Sequence, residues 1–161
     1  MSDVKYFTGI DCATKRIDIV IIDRKKDWVS SVSIDTAEVD IDRRLVDLYQ
    51  KLIKSIATDY FLHTSPKFMF AAVENPIYIQ NVKVTVSIAQ TVACVKIAMS
   101  QAGITFFGID NRAWKKAVLG DGNSDKNKIR AFAETLWGDK ITSQDLADAA
   151  CIALWCHQRG G

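Results

Sequence analysis

The apolar positions of the chain fall first into strand-like runs and then into helical periods. Tyr6 to Ile10 is short and apolar and closes on Asp11. Ile17 to Ile22 is rich in β-branched residues, and Trp28, Ser30, Val32 and Ile34 share one face of a third, alternating run. The gaps between these runs are short, which predicts an antiparallel meander. Ile41, Leu45, Leu48, Leu52 and Ile56 then recur at three- and four-residue steps, with polar residues between them, as an amphipathic helix requires. Phe68 to Val73 predicts a buried strand. Val84, Ile88, Val92, Val95 and Met99 predict a second helix stopped by Gly103, and Ile104 to Ile109 another buried strand. Helices follow over roughly Asn111 to Leu119, Asp125 to Trp137 and Ser143 to His157, the first two separated by Gly120-Asp121-Gly122-Asn123.

The predicted order is βββαβαβααα. A three-strand meander followed by two crossover strands makes an α/β fold with a five-stranded mixed sheet and helices on both faces. Right-handed crossovers set the fourth and fifth strands beside the first. The C-terminal ends of strands one and four then become neighbours.

Composition narrows the class. The 161 residues, without repeats, low-complexity tracts or a Gly/Ser linker, predict one domain spanning 1–161, and 48% hydrophobic content excludes a mainly disordered chain. No apolar run is expected to reach the length of a membrane span. Met1 to Lys5 lacks the layout of a signal peptide, which predicts a cytoplasmic protein. Cys12, Cys94, Cys151 and Cys156 have no CxxC spacing and are expected to be buried thiols. Residues 1–80 hold 11 basic and 12 acidic side chains, and residues 81–161 hold 10 and 7, a mild asymmetry that permits a polyanion partner without demanding one.

The chemistry lies in the acids. Asp11 ends strand one, and Glu74 ends strand four in Ala71-Ala72-Val73-Glu74. Adjacent parallel strands would hold these carboxylates side by side. Asp145 and Asp148 stand three apart on the last helix and share a face, while Leu146, Ala150, Ile152 and Ala153 supply an apolar face to lie on the sheet. Four carboxylates at one point require cations. Oxygen ligands with open coordination positions suit Mg²⁺ or Mn²⁺. Two such ions about 4 Å apart would clamp the attacking and leaving oxygens of a phosphodiester. Each acid also has a structural alternative. Asp11 could close a turn, Glu74 could open a helix before Asn75-Pro76, and Asp145 fits a capping box with Thr142 as the cap. Asp148 could be a solvated helix position, although its neighbours Ala147, Ala149 and Ala150 suggest packed surroundings.

Gly9-Ile10-Asp11-Cys12-Ala13-Thr14, Val73-Glu74-Asn75-Pro76 and Asp145-Leu146-Ala147-Asp148-Ala149 resemble the three acidic motifs of RuvC-type Holliday junction resolvases. The resemblance runs from strand one to the last helix. It implies a ribonuclease H-like fold, two divalent ions (Mg²⁺, with Mn²⁺ able to substitute) held by Asp11, Glu74, Asp145 and Asp148, paired nicking of branched DNA, and a homodimer. The Asp145 position is His in some family members. The short length and two departures suggest a phage or otherwise divergent member, expected in the host cytoplasm if phage-encoded. Cys12-Ala13 stands where the family often has Gly. Ile77 occupies the position of a family aromatic that works at the junction crossover, with Tyr78 beside it as the candidate substitute.

Lys115, Lys116, Lys126, Lys128 and Arg130 surround the Gly120–Asn123 loop, and Arg112 lies close in sequence; these are candidate phosphate contacts, Lys116 and Lys126 matching the family best. A solvated helix face is the alternative. His63 and His157 are expected at the surface or a helix end, and Trp114, Trp137 and Trp155 in packing. The apolar helix from Val82 to Ala102, whose charges are Lys83 and Lys96, is the dimer candidate. Two rival functions remain open. Asp11 to Thr14 also resembles the phosphate loop of actin-like ATPases, although one lobe alone fits in 161 residues. A catalytically inactive junction-binding protein is the other, against which the four intact acids argue.

Overall fold

The computed structural model describes residues 4–58, 65–77 and 79–160. Its strands are β1 (Tyr6–Cys12), β2 (Arg16–Asp23), β3 (Trp28–Asp35), β4 (Met69–Glu74) and β5 (Thr105–Ile109). Its helices are α1 (Ile41–Ala57), α2 (Val82–Gln101), α3 (Asn111–Leu119), α4 (Lys126–Trp137) and α5 (Gln144–Gly160). The sheet order is β3-β2-β1-β4-β5. β1, β2 and β3 pair antiparallel, and β4 pairs parallel to β1 and to β5. The meander and both crossovers are as the apolar pattern predicts. Ile10 lies beside Val73, so β1 and β4 end together.

The strand alternation divides the core in two. Phe7, Val20, Ile22, Phe70 and Ala72 face α3, α4 and α5. Ile10, Ile17, Ile19, Ile21 and Val73 face α1 and α2, where they meet Leu48, Leu52, Val92 and Met99. On the first side α5 lies directly on the sheet. A Cβ on Gly9 would fall 2.0 Å from the Ala149 carbonyl oxygen and 2.2 Å from the Ala153 nitrogen. Only a residue without a side chain allows this approach, and it brings the start of α5 to the end of β1.

Several details depart from the sequence reading. Trp28 does not share a face with Val32 and Ile34. The β2–β3 register shifts between Ile21 and Ile22, so that Ile21 pairs with Ser30 but Ile22 with Trp28. This bulge turns Trp28 to the α5 side, where it packs edge-on against Trp137. β5 is an edge strand, and Ile109 is its buried residue rather than one of a buried run. Phe68 belongs to a 3₁₀ turn, Pro66–Phe68, ahead of β4. Cys151 and Cys156 are buried, whereas Cys12 and Cys94 are partly exposed; all four are free thiols. α2 does have the length and composition to cross a membrane, contrary to expectation. It packs against the sheet through Val92, Val95, Ala98 and Met99, like the core helix of a globular fold. His63 lies outside the described residues. His157 sits near the end of α5 with its Nε2 2.9 Å from the Arg24 carbonyl oxygen.

Candidate active site

The acids converge where β1, β4 and α5 meet. One carboxylate oxygen from each of Asp11, Asp145 and Asp148 lies within 4.8 Å of the others. Asp11 leaves β1 two residues past Gly9, on the face that α5 covers. Ser143, not Thr142, caps α5: its hydroxyl accepts from the Leu146 backbone N–H at 3.1 Å. Asp145 is therefore not consumed by a capping box and stands in the first turn, one helical step before Asp148.

Glu74 lies outside that triad but lines the same open cleft, of about 290 Å³, with Asp11 and Asp148. Both of its oxygens are held. Asn111 donates through Nδ2 to Oε1 at 2.9 Å, and Trp114 donates through Nε1 to Oε2 at 2.6 Å. These two residues occupy neighbouring positions on α3. Trp114 is fully buried, so it both packs and orients. Gln144 donates to Asp148 at 3.1 Å. The sequence reading missed Asn111, Trp114 and Gln144 as site residues. The i,i+3 pair Asn111/Trp114 opening a helix after β5 was the available signal.

Electrostatics single out the same point. Burial raises the Asp11 carboxyl well above its ordinary range, and Glu74, Asp148 and Asp145 raise it further. Asp148 is pushed up to about 6, chiefly by burial and also by the charges of Glu74 and Asp145, against the Gln144 hydrogen bond and the Lys115 charge that lower it. Such a set is costly to ionise without a counter-cation. The donors are all carboxylate oxygens and the cleft is open, which fits a hard divalent ion with free coordination positions.

The candidate nucleic-acid residues divide by position. Lys115 and Lys126 line the cleft beside the acids. Lys116 and Lys128 are exposed on α3 and α4. Arg130, also exposed, pairs with Glu134 at 2.8 Å. Arg112 donates to Asn123 at 2.7 Å and closes the loop between α3 and α4. Ile77 and Ile79 flank the cleft at its β4 end, and both are exposed. Tyr78, between them, lies outside the described residues.

A mixed sheet of this order with acids at the ends of its two central strands and on the C-terminal helix defines a ribonuclease H-like nuclease. Comparison with known proteins narrows it. The family description "crossover junction endodeoxyribonuclease RuvC" matches residues 7–157. Two relatives carrying that name come from Bartonella henselae (30% identical, covering 98% of this chain and 91% of the relative) and Brucella anthropi (28% identical, covering 98% and 90%). The fold matches Thermus thermophilus RuvC solved in complex with a Holliday junction substrate, with a TM-score of 0.77 and 16% identity over 96% of this chain and 95% of that one. The chain belongs to the RuvC family of crossover junction endodeoxyribonucleases.

Proposed function

We propose that this protein is one RuvC-like nuclease domain that resolves four-way and related branched DNA junctions in the cytoplasm, by metal-dependent phosphodiester hydrolysis with paired nicks. The observation that carries the reading is the meeting of Asp11, Asp145 and Asp148 within 4.8 Å, beside a cleft that Asp11 and Asp148 line together with Glu74 and two lysines. Asp11, Glu74, Asp145 and Asp148 would hold two Mg²⁺ ions, for which Mn²⁺ can substitute. When bound, such ions activate water as the nucleophile and stabilise the departing 3′ oxygen.

The chain's own residues do the rest. Asn111 and Trp114 keep the Glu74 carboxylate fixed, so that it presents its remaining lone pairs without rearranging. Lys115 and Lys126 stand on the cleft wall where a phosphate backbone would enter, and their charge draws it toward an otherwise repulsive acid cluster. Lys116, Lys128, Arg130 and Arg112 extend the basic surface away from the cleft.

Two symmetric cuts need two active sites, which a two-fold dimer supplies. The outer side of α2 suits that role. Val82, Val86 and Ile97 are exposed on it, an apolar stripe that no other element covers among the described residues. The test of the reading is incubation with an end-labelled four-way junction. Cleavage should require Mg²⁺ or Mn²⁺ and leave 5′-phosphates, and Ca²⁺ should support binding without cutting. Full-rate cleavage in EDTA would overturn the mechanism.

A further inference from the structure

Three of the four acids at the cleft have contacts that fix them. Glu74 is held by Asn111 and Trp114, Asp148 by Gln144, and Asp11 by burial between sheet and helix. Asp145 has 47% of its side chain exposed. A carboxylate that free would lose rotamer entropy each time it ligated an ion. One group approaches it: Nε of Arg16 lies 3.7 Å from Asp145 Oδ2.

Arg16 is itself immobilised. Its Nε donates to Asp18 Oδ2 at 2.8 Å and its Nη2 to Asp18 Oδ1 at 3.0 Å, a two-pronged pairing. Nη2 also donates to the Ser33 hydroxyl at 3.1 Å, and that hydroxyl donates to Asp18. Asp18 is 2% exposed and sits directly opposite Asp11 in the β1–β2 pairing. It is thus a fifth acid beside the cluster, and like charges directly across a strand pair destabilise the sheet. The guanidinium cancels Asp18 and, from the same fixed position, faces Asp145.

We infer that Arg16, locked by Asp18 and Ser33, is a positioning residue that orients the Asp145 carboxylate for metal binding. The single Nε proton is donated to Asp18, so the guanidinium acts on Asp145 by its charge, which at 3.7 Å from Oδ2 draws the carboxylate toward the sheet rather than into solvent. This rests on the metal reading proposed above. A neutral or mobile group at position 16 would leave Asp145 free to turn into solvent.

Removing Arg16 alone would expose the Asp18 charge and attract cations for an unrelated reason. The informative variant is therefore the charge-balanced double substitution Arg16→Gln/Asp18→Asn. The readout is Mn²⁺ binding to the DNA-free protein, followed by electron paramagnetic resonance of free Mn²⁺, beside the Mg²⁺ concentration for half-maximal junction cleavage. The Mn²⁺ dissociation constant should rise about tenfold or more, as for lost outer contacts of other metal sites. The half-maximal Mg²⁺ concentration should rise in parallel, with a much smaller change in rate at saturating Mg²⁺. In an Asp145→Asn background the same pair of substitutions should be silent, because Arg16 acts through Asp145. Parental Mn²⁺ affinity in the double variant, or an equal loss in the Asp145→Asn background, would overturn the inference. Should the double variant not fold, Arg16→Lys keeps the ion pair with Asp18 but not the rigid fork. It should weaken Mn²⁺ binding about threefold or more, and parental affinity there overturns the inference equally. A parent protein that takes up no Mn²⁺ would defeat the metal reading itself, whereas a binding parent with indifferent variants defeats only the role of Arg16.

Discussion

The two faces of the sheet use different packing for different ends. On the α5 face Phe7 and Phe70 pack beside a point of backbone-to-backbone contact, where Gly9 on β1 meets Ala149 and Ala153 and the helix lies as close as the chain permits. On the α1 and α2 face the contacts are long aliphatic side chains, such as Leu48, Leu52 and Met99 against Ile10, Ile19 and Ile21. Long side chains fill space and tolerate small displacements by changing rotamer. Backbone against backbone tolerates none. The close face carries Asp145 and Asp148, whose oxygens must meet that of Asp11 within a few ångströms. The cushioned face carries α2, on whose outer side Val82, Val86 and Ile97 are exposed. Precision and adaptability are thus separated by the sheet.

The sharpest way to break this comparison is to add a side chain on each face. Gly9→Val should displace α5, destabilise the fold by more than ~3 kcal/mol and abolish cleavage. Ala98→Val, at a buried position of α2, should cost only ~1–3 kcal/mol and leave Mn²⁺ binding intact. Thermal melts and metal titrations on both variants check the contrast. Equal effects would mean that the close face is not special.

Next in size is the outer side of α2. Val86 is 50% exposed, so Val86→Asp should leave the fold intact, dissociate the proposed dimer and uncouple the two nicks. Sedimentation and the ratio of singly to doubly nicked junction measure both effects. A variant that sediments like the parent would remove α2 from the interface.

The metal-free acid cluster gives a smaller, pH-dependent effect. Asp148 titrates near 6 when folded, above the ordinary 3.8, so the folded state binds its proton more tightly than the unfolded state does. Stability in EDTA should therefore increase as pH falls from 7 through 6 toward 4, by ~1–3 kcal/mol, and decrease as pH rises through the same window. Asp11 shifts in the same direction and adds to the trend. Asp148→Asn should flatten it and at pH 7 be as stable as the parent or up to ~2 kcal/mol more stable. Melts across pH in EDTA would contradict the cluster if the slope ran the other way.

The smallest effect concerns the cleft wall. Lys115→Ala and Lys126→Ala should each reduce the slope of log binding against log salt by about one unit for junction DNA. Lys116→Ala, off the cleft, provides the comparison. An unchanged slope for both cleft lysines would make them ordinary solvated residues.

Much of this architecture was readable before any coordinates. Periodicity identified the strands and helices because each buries one face, and the crossover rule placed β4 beside β1. Asp11 and Glu74 could be picked out because each ends an apolar run, Asp148 because it lies among alanines, and Asp145 because it stands three residues before Asp148 on the same helix face. What escaped the sequence depends on contacts between distant elements. The Glu74 clamp joins β4 to α3, and the Asp18 pairing with Arg16 and Ser33 spans β2 and β3. Trp28 changes face because of a bulge that its alternating neighbours do not announce. The cap of α5 fell on Ser143 where Thr142 was an equally good candidate, since two adjacent hydroxyl residues differ only in backbone geometry.

The central claim is that acids at the β1–β4–α5 junction form a metal-dependent nuclease centre, and Asp148→Asn tests it most directly. Parent and variant should be mixed with a labelled four-way junction in Mg²⁺ and in EDTA, with binding and cleavage followed together. The parent should cut in Mg²⁺ by paired nicks bearing 5′-phosphates and not cut in EDTA. The variant should bind the junction at least as well, because less negative charge faces the phosphates, and should not cut in either. A variant that cuts at the parental rate, or a parent that cuts fully in EDTA, would contradict the account.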